Sequence, residues 1–166
     1  MKRQRDRSGE DKPKASAYDK ALRLLARREH SRRELGQKLR QGGYEDGEAG
    51  DALDRLGQQH YQDDERFAEA LIRNRAAQGY GPLRLQAELK SHGLSGARIR
   101  ALLDAAEVDW GALAASQLRR RYGSGGAADP AERARRAQFL LRRGFPAATV
   151  RGVTRADVDD AADPDD

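Results

Sequence analysis

An all-α chain of three tandem three-helix repeats, helix-turn-helix-like and set in an elongated, curved arrangement, is the fold this 166-residue sequence predicts. One phrase occurs three times: KLRQGGYE at 38–45, LKSHGLS at 89–95 and FLLRRGFP at 139–146. Its glycines Gly43, Gly93 and Gly144 stand 50 and 51 residues apart, the self-similarity of a tandem array. Apolar residues recur at three- and four-residue steps on both sides of each glycine, the pattern of amphipathic helices. Charged residues make up 36% of the chain and the mean hydropathy is −0.95, which suits thin layers of helix near water better than a thick core.

The first repeat is expected over 16–62. Tyr18, Ala21, Leu22 and Leu25 line one face of an opening helix, and Ser31 with Glu34 resembles a capping box for the second. Leu39 precedes Gly43 by four residues and Tyr44 follows it, the arrangement of a helix closed by a left-handed glycine. Ala49, Ala52, Leu53 and Leu56 then mark the third helix.

The second repeat, 63–108, opens on Asp63 and Asp64 before Phe67, Ala70 and Leu71. GYGP at 79–82 makes a turn with Pro82 at a helix start, Leu89, Gly93 and Leu94 repeat the closing phrase, and Ile99, Leu102, Leu103 and Ala106 follow. The third repeat, 109–156, opens on Trp110, Leu113, Ala114 and Leu118, crosses a longer flexible link GSGGAADP (123–130), and closes with Leu140, Gly144, Phe145, Val150 and Val153. Each copy thus begins with an aromatic anchor, and the single Trp is read as core. Isolated units of this size are marginal, so neighbours are expected to stabilise one another.

The net charge of +5 is unevenly spread. The basic tail 1–15 carries +3, repeats one and two +1 and −1, and residues 110–156 carry ten arginines against two acids, while the acidic tail 157–166 holds six aspartates and no base. Both tails are expected to be disordered. A basic block of this density points to a polyanion or an acidic protein surface as partner. The candidate contact residues are Arg119, Arg120 and Arg121 at the end of one helix, Arg133, Arg135 and Arg136 at the start of the next, and Arg142 and Arg143 at its end. Arginine forks bind phosphates or carboxylates at two points, and Tyr122 beside them can add a stacking contact.

Other chemistries find little support. The chain has no cysteine, so thiolate metal sites, disulfides and cysteine nucleophiles are absent. His30, His60 and His92 lie about thirty residues apart without acidic companions at ligand spacing, and His30 and His92 read as solvated residues of last helical turns. Asp63 and Asp64 read as helix caps, and the glycine turns lack the Lys-Ser or Lys-Thr of a phosphate loop. No catalytic, metal or cofactor residue is expected. No apolar run approaches a membrane span and no signal peptide is visible, so a cytoplasmic monomer is expected. A sequence-specific helix-turn-helix regulator is the rival reading. However, the would-be reading helix after Gly43, EDGEAGDALDRL, is acidic and poorly suited to a groove lined with phosphates.

YQDDERFAEALIRNR (61–75) followed by GYGPLRLQAELKSHGL (79–94) resembles the junction between the first two repeats of the bacterial RecX family of regulatory proteins. SRRELGQKL (31–39) and RRAQFLLRRGF (135–145) resemble that family's first- and third-repeat helices, so the similarity runs from about Tyr18 to Val153. The resemblance implies a non-enzymatic protein that binds the RecA recombinase and its filament on single-stranded DNA, restraining ATP hydrolysis, strand exchange and coprotease activity. It also implies placement along the filament's deep groove across neighbouring subunits, with direct weak nucleic-acid binding as a further expectation. Two departures stand out. The third copy has the GSGGAAD insertion and carries Arg136 where Leu35 and Leu85 stand, which predicts mobile docking on repeat two. The acidic tail is expected to fold back on the arginines or to mimic phosphate, by an attraction that salt screens.

Overall fold

The computed structural model describes residues 14–155, so the acidic tail and most of the basic tail lie outside it. Among the described residues there are nine helices and no strand: α1 (Ala17–Leu25), α2 (Arg32–Gln41), α3 (Asp46–Gln58), α4 (Asp64–Ala77), α5 (Pro82–Ser91), α6 (Gly96–Ala105), α7 (Trp110–Tyr122), α8 (Pro130–Arg142) and α9 (Ala147–Thr154). The helices pack mainly within consecutive trios.

Local chemistry starts most of these helices. Ser16, Ser31, Asp63, Ser95, Asp109 and Asp129 each accept a backbone N–H from the first turn of α1, α2, α4, α6, α7 and α8, satisfying donors that the helix itself leaves open. Proline begins α5 and α8, where a missing N–H costs nothing. The expected capping box at α2 is half made. Ser31 accepts from Glu34 N–H, but the Glu34 carboxylate turns to Arg28.

The phrase repeated three times is a helix-stop signal. Tyr44, Leu94 and Phe145 donate their backbone N–H to Leu39, Leu89 and Leu140, six residues spanning each loop, with the glycine between them at positive φ. The leucine and the residue after the glycine fall on the same side of that loop and enter the core together. Each trio has its own core: one around Leu35, Leu39 and Leu56, a second around Ile72, Leu85, Leu89 and Ile99, a third around Leu140, Phe145 and Val150. Burial of each such side chain stabilises by about 1.5–3 kcal/mol. Trp110 packs against both the second and third cores and so joins them.

The same glycine turns dock one repeat on the previous one. His92, at the end of α5, meets Ser31 at the start of α2, with Nδ1 2.7 Å from the hydroxyl. Asp64 accepts the Arg32 N–H at 2.9 Å, so a residue of repeat two helps cap a helix of repeat one. At the next junction, Gly81 and Leu83 at the start of α5 donate their N–H groups to the carbonyls of Arg143 and Gly144, at 2.8 and 2.9 Å. The helices α8, α5 and α2 therefore follow one another head to tail, the electronegative end of one against the electropositive start of the next. This linear order makes the array elongated.

Three expectations need correction. Docking of the third repeat rests on main-chain hydrogen bonds and backbone contact, which is the opposite of loose. Its Arg136 occupies the leucine position because its stem is buried while the head reaches Glu132 at 2.8 Å and the Gly125 carbonyl at 3.0 Å. Those bonds also pin the 123–130 link, where Ala128 N–H donates to Glu132. His30 is no solvated helix end either. The first helix stops at Leu25, His30 is buried beyond it, and its Nδ1 lies 2.9 Å from the Arg28 carbonyl.

Candidate interaction surface

Helix α7 ends in three consecutive exposed arginines between Leu118, which is buried, and Tyr122, which packs on the third core. Cations at that terminus complement the helix dipole. Arg119, Arg120 and Arg121 are all exposed, as are Arg135 and Arg142, and Arg133 is half-buried. None of these six has a carboxylate within ion-pairing distance among the described residues, whereas Arg28, Arg32, Arg66 and Arg75 of the first two repeats do. The third repeat therefore presents cations whose charge is not met from within the described fold.

The remaining two candidates are occupied. Arg136 is buried between Glu132 and Gly125, with its Nε–H lacking an acceptor. The Ala128 N–H, then Arg136, hold the Glu132 carboxyl below its ordinary range. Arg143 donates to the Gln78 carbonyl at 2.6 Å and to Gln117 Oε1 at 3.2 Å, tying α8 to the segment that ends α4. Both are parts of the scaffold, and six of the eight arginines remain as the outward set.

Two residues near this face escaped the sequence reading. Two guanidinium groups lie over the Tyr80 ring, that of Arg84 4.0 Å and that of Arg143 4.3 Å from its centre. The first contact is local, since Tyr80 immediately precedes the N-cap Gly81 and Arg84 is the third residue of α5. The second joins repeats and had no local signature. Behind them Arg75 grips Glu88 with Nε and Nη2 at 2.9 and 2.7 Å, and these bonds hold the Glu88 carboxyl below its usual range.

Among the described residues the remaining titratable groups serve as caps and packing contacts. Asp63 caps α4, His92 bonds Ser31 and packs at 4.6 Å on Phe67, and no group of three metal-ligating side chains gathers among the described residues. No helix there is long and apolar enough to cross a membrane.

Family models for the first, second and third three-helix domains of RecX match residues 17–56, 63–103 and 107–154. The chain belongs to the RecX family. Among relatives of this RecX-family chain, proteins named Regulatory protein RecX are 49% identical over 141 residues in Xanthomonas axonopodis pv. citri (strain 306) and 48% in Stenotrophomonas maltophilia (strain K279a). Each alignment covers 85% of this chain, and 87% and 86% of those relatives. A crystal structure of regulatory protein RecX superposes with a TM-score of 0.69 at 21% identity, covering 84% of this chain and 70% of that one. The RecX structure from Lactobacillus salivarius gives 0.66 at 21%, covering 87% and 94%; at this identity the likeness speaks for the fold. RecX relatives carry the name of a regulator, and this chain is a regulatory protein rather than an enzyme.

Proposed function

We propose that this RecX-family chain binds the RecA recombinase and its filament on single-stranded DNA, restraining ATP hydrolysis, strand exchange and coprotease activity. The observation that carries the reading is the match of all three RecX domains in order, 17–56, 63–103 and 107–154. The geometry supports a multivalent mode of action. Three units docked in a row can each contribute a modest contact, and tethered contacts gain effective concentration when all reach one partner. Arg119, Arg120, Arg121, Arg133, Arg135 and Arg142 supply the contact for DNA phosphate or acidic recombinase surface. The protein acts as a cytoplasmic monomer in this reading.

The test is a titration into preformed RecA filaments on single-stranded DNA, following ATP hydrolysis, with affinity for bare DNA measured at the same salt. Inhibition at concentrations where bare DNA is scarcely bound supports a filament-directed regulator. No inhibition, or inhibition only when the protein saturates the DNA, returns the choice to a plain nucleic-acid binder. Tight sequence-specific duplex binding without recombinase would favour a helix-turn-helix regulator. Exposed Asp46, Glu48, Asp51 and Asp54 on α3 weigh against that alternative.

A further inference from the structure

At the junction of repeats two and three, guanidinium groups and aromatic rings alternate along one strip. Arg84 and Arg143 lie over Tyr80. Arg143 lies 5.9 Å and Arg121 4.8 Å from the Phe139 ring centre, and Tyr122 meets Phe139 edge-on at 6.0 Å. Of the three arginines, Arg143 is held by Gln78 and Gln117. Arg84 and Arg121 are exposed, and no ion pair engages either one among the described residues. A ring beneath each of them restrains a side chain that would otherwise sample many rotamers, so less freedom is lost when the guanidinium binds.

We propose that this strip is a track for single-stranded nucleic acid, with unstacked bases lying on the outer faces of Arg84 and Arg121 and phosphates taken by their N–H edges. Planar guanidinium groups are stacking surfaces for splayed bases, and a ring beneath extends the stack to three layers. A duplex keeps its bases stacked on one another and can offer this strip only phosphate. A protein partner fits less well. Arginine and tyrosine do anchor protein interfaces, but in packed, desolvated surrounds, and Leu83, 49% exposed, is the one large apolar side chain beside Arg84 that faces water. The inference deepens the reading of the basic third repeat as a contact surface and adds a second-repeat residue to it. It requires no recombinase, so its test is run on protein and nucleic acid alone.

The experiment is a fluorescence-anisotropy titration of the full chain with labelled oligothymidylate and with a duplex of equal length, over a salt series. The substitutions Arg84→Lys and Arg121→Lys keep the charge and remove the plane. The double variant is expected to lose about fivefold or more in affinity for the single strand. Duplex affinity and the salt slope should stay at wild-type values, while Arg84→Ala should also lower the single-strand slope by about 0.7. Matched thermal unfolding checks that the exposed substitutions leave the fold intact. Wild-type affinity in the lysine variants, or an equal loss on duplex, would overturn the proposal in favour of simple charge attraction. So would unchanged DNA affinity with weakened binding to free RecA, which would make the strip a protein-docking surface. Neither result depends on whether the filament is inhibited.

Discussion

Gly81 and Gly144 meet backbone to backbone: a β-carbon on Gly81 would stand 2.5 Å from the Gly144 carbonyl, and one on Gly144 would stand 2.6 Å from Cβ of Arg84. Repeats two and three are therefore joined at a place that admits no side chain. Gly144→Ala is expected to destabilise by about 2–4 kcal/mol, combining overpacking with a positive φ that alanine resists. Gly43→Ala meets the same φ but only the end of Lys14, so its cost should be smaller. Urea titrations of the two variants decide; equal losses would mean that the contact across the junction contributes little.

Ser31 serves two partners at once, the Glu34 N–H and the His92 ring. Ser31→Ala should cost about 1 kcal/mol from the lost cap alone. A double-mutant cycle with His92→Ala measures the remainder, and a coupling near zero would leave the inter-repeat bond without energetic weight.

Burial, more than the neighbouring Arg28 charge, holds the His30 pKa below 6.5, although the bond to the Arg28 carbonyl opposes it. The unfolded chain then binds a proton more readily than the folded one, so stability is complete above about pH 6.5 and falls as pH drops towards the lowered value. Glu34 and Glu88 follow the ordinary carboxylate sign. Burial of Glu34 is outweighed by Arg28, the bonds from Arg75 dominate at Glu88, and both contributions are lost below about pH 4.5. Melting temperatures from pH 8 to about pH 2 should fall in two stages. His30→Gln should flatten the upper stage, and an unchanged upper stage in that variant would remove His30 as its source.

The eight candidate arginines of repeat three should separate by experiment. Arg136→Ala is expected to lower the melting temperature well below that of Arg135→Ala, because only the first removes a buried stem and the partner of Glu132. Replacing Arg119, Arg120 and Arg121 together with Ala should preserve helicity, weaken inhibition of the filament ATPase and reduce its salt sensitivity. Full inhibition by that triple variant would refute their assignment as contact residues.

Much of this arrangement was legible beforehand, because the repeat period and the Leu-x-x-x-Gly turn are written in apolar spacing, which reports the face each helix shows its own core. The caps at Ser31 and Asp63 were local and equally readable. What joins the repeats was not. Gly81, Leu83, Arg143 and Gly144 bond through N–H and C=O groups that nearly every residue carries, so their side chains say nothing of the pairing. Arg136 looked like surface because charge usually is, and the carbonyl of Gly125 and the carboxylate of Glu132, with the Tyr122 ring 4.9 Å away, make its burial tolerable. His30 misled for a related reason, since its burial depends on a segment after α1 that the helical spacing extends too far.

The end-to-end run of α8, α5 and α2 also gives the molecule a graduation. Both α2 and α5 have ten residues, so each step along the run is roughly one helix length, about 15 Å, plus the turn between them. A step fixed by hydrogen-bonded backbone does not stretch to suit a partner. Any surface that engages all three repeats must offer footholds at a matching interval, and a lattice whose spacing drifts, through a change in its own pitch, will hold one end of this ruler and release the other.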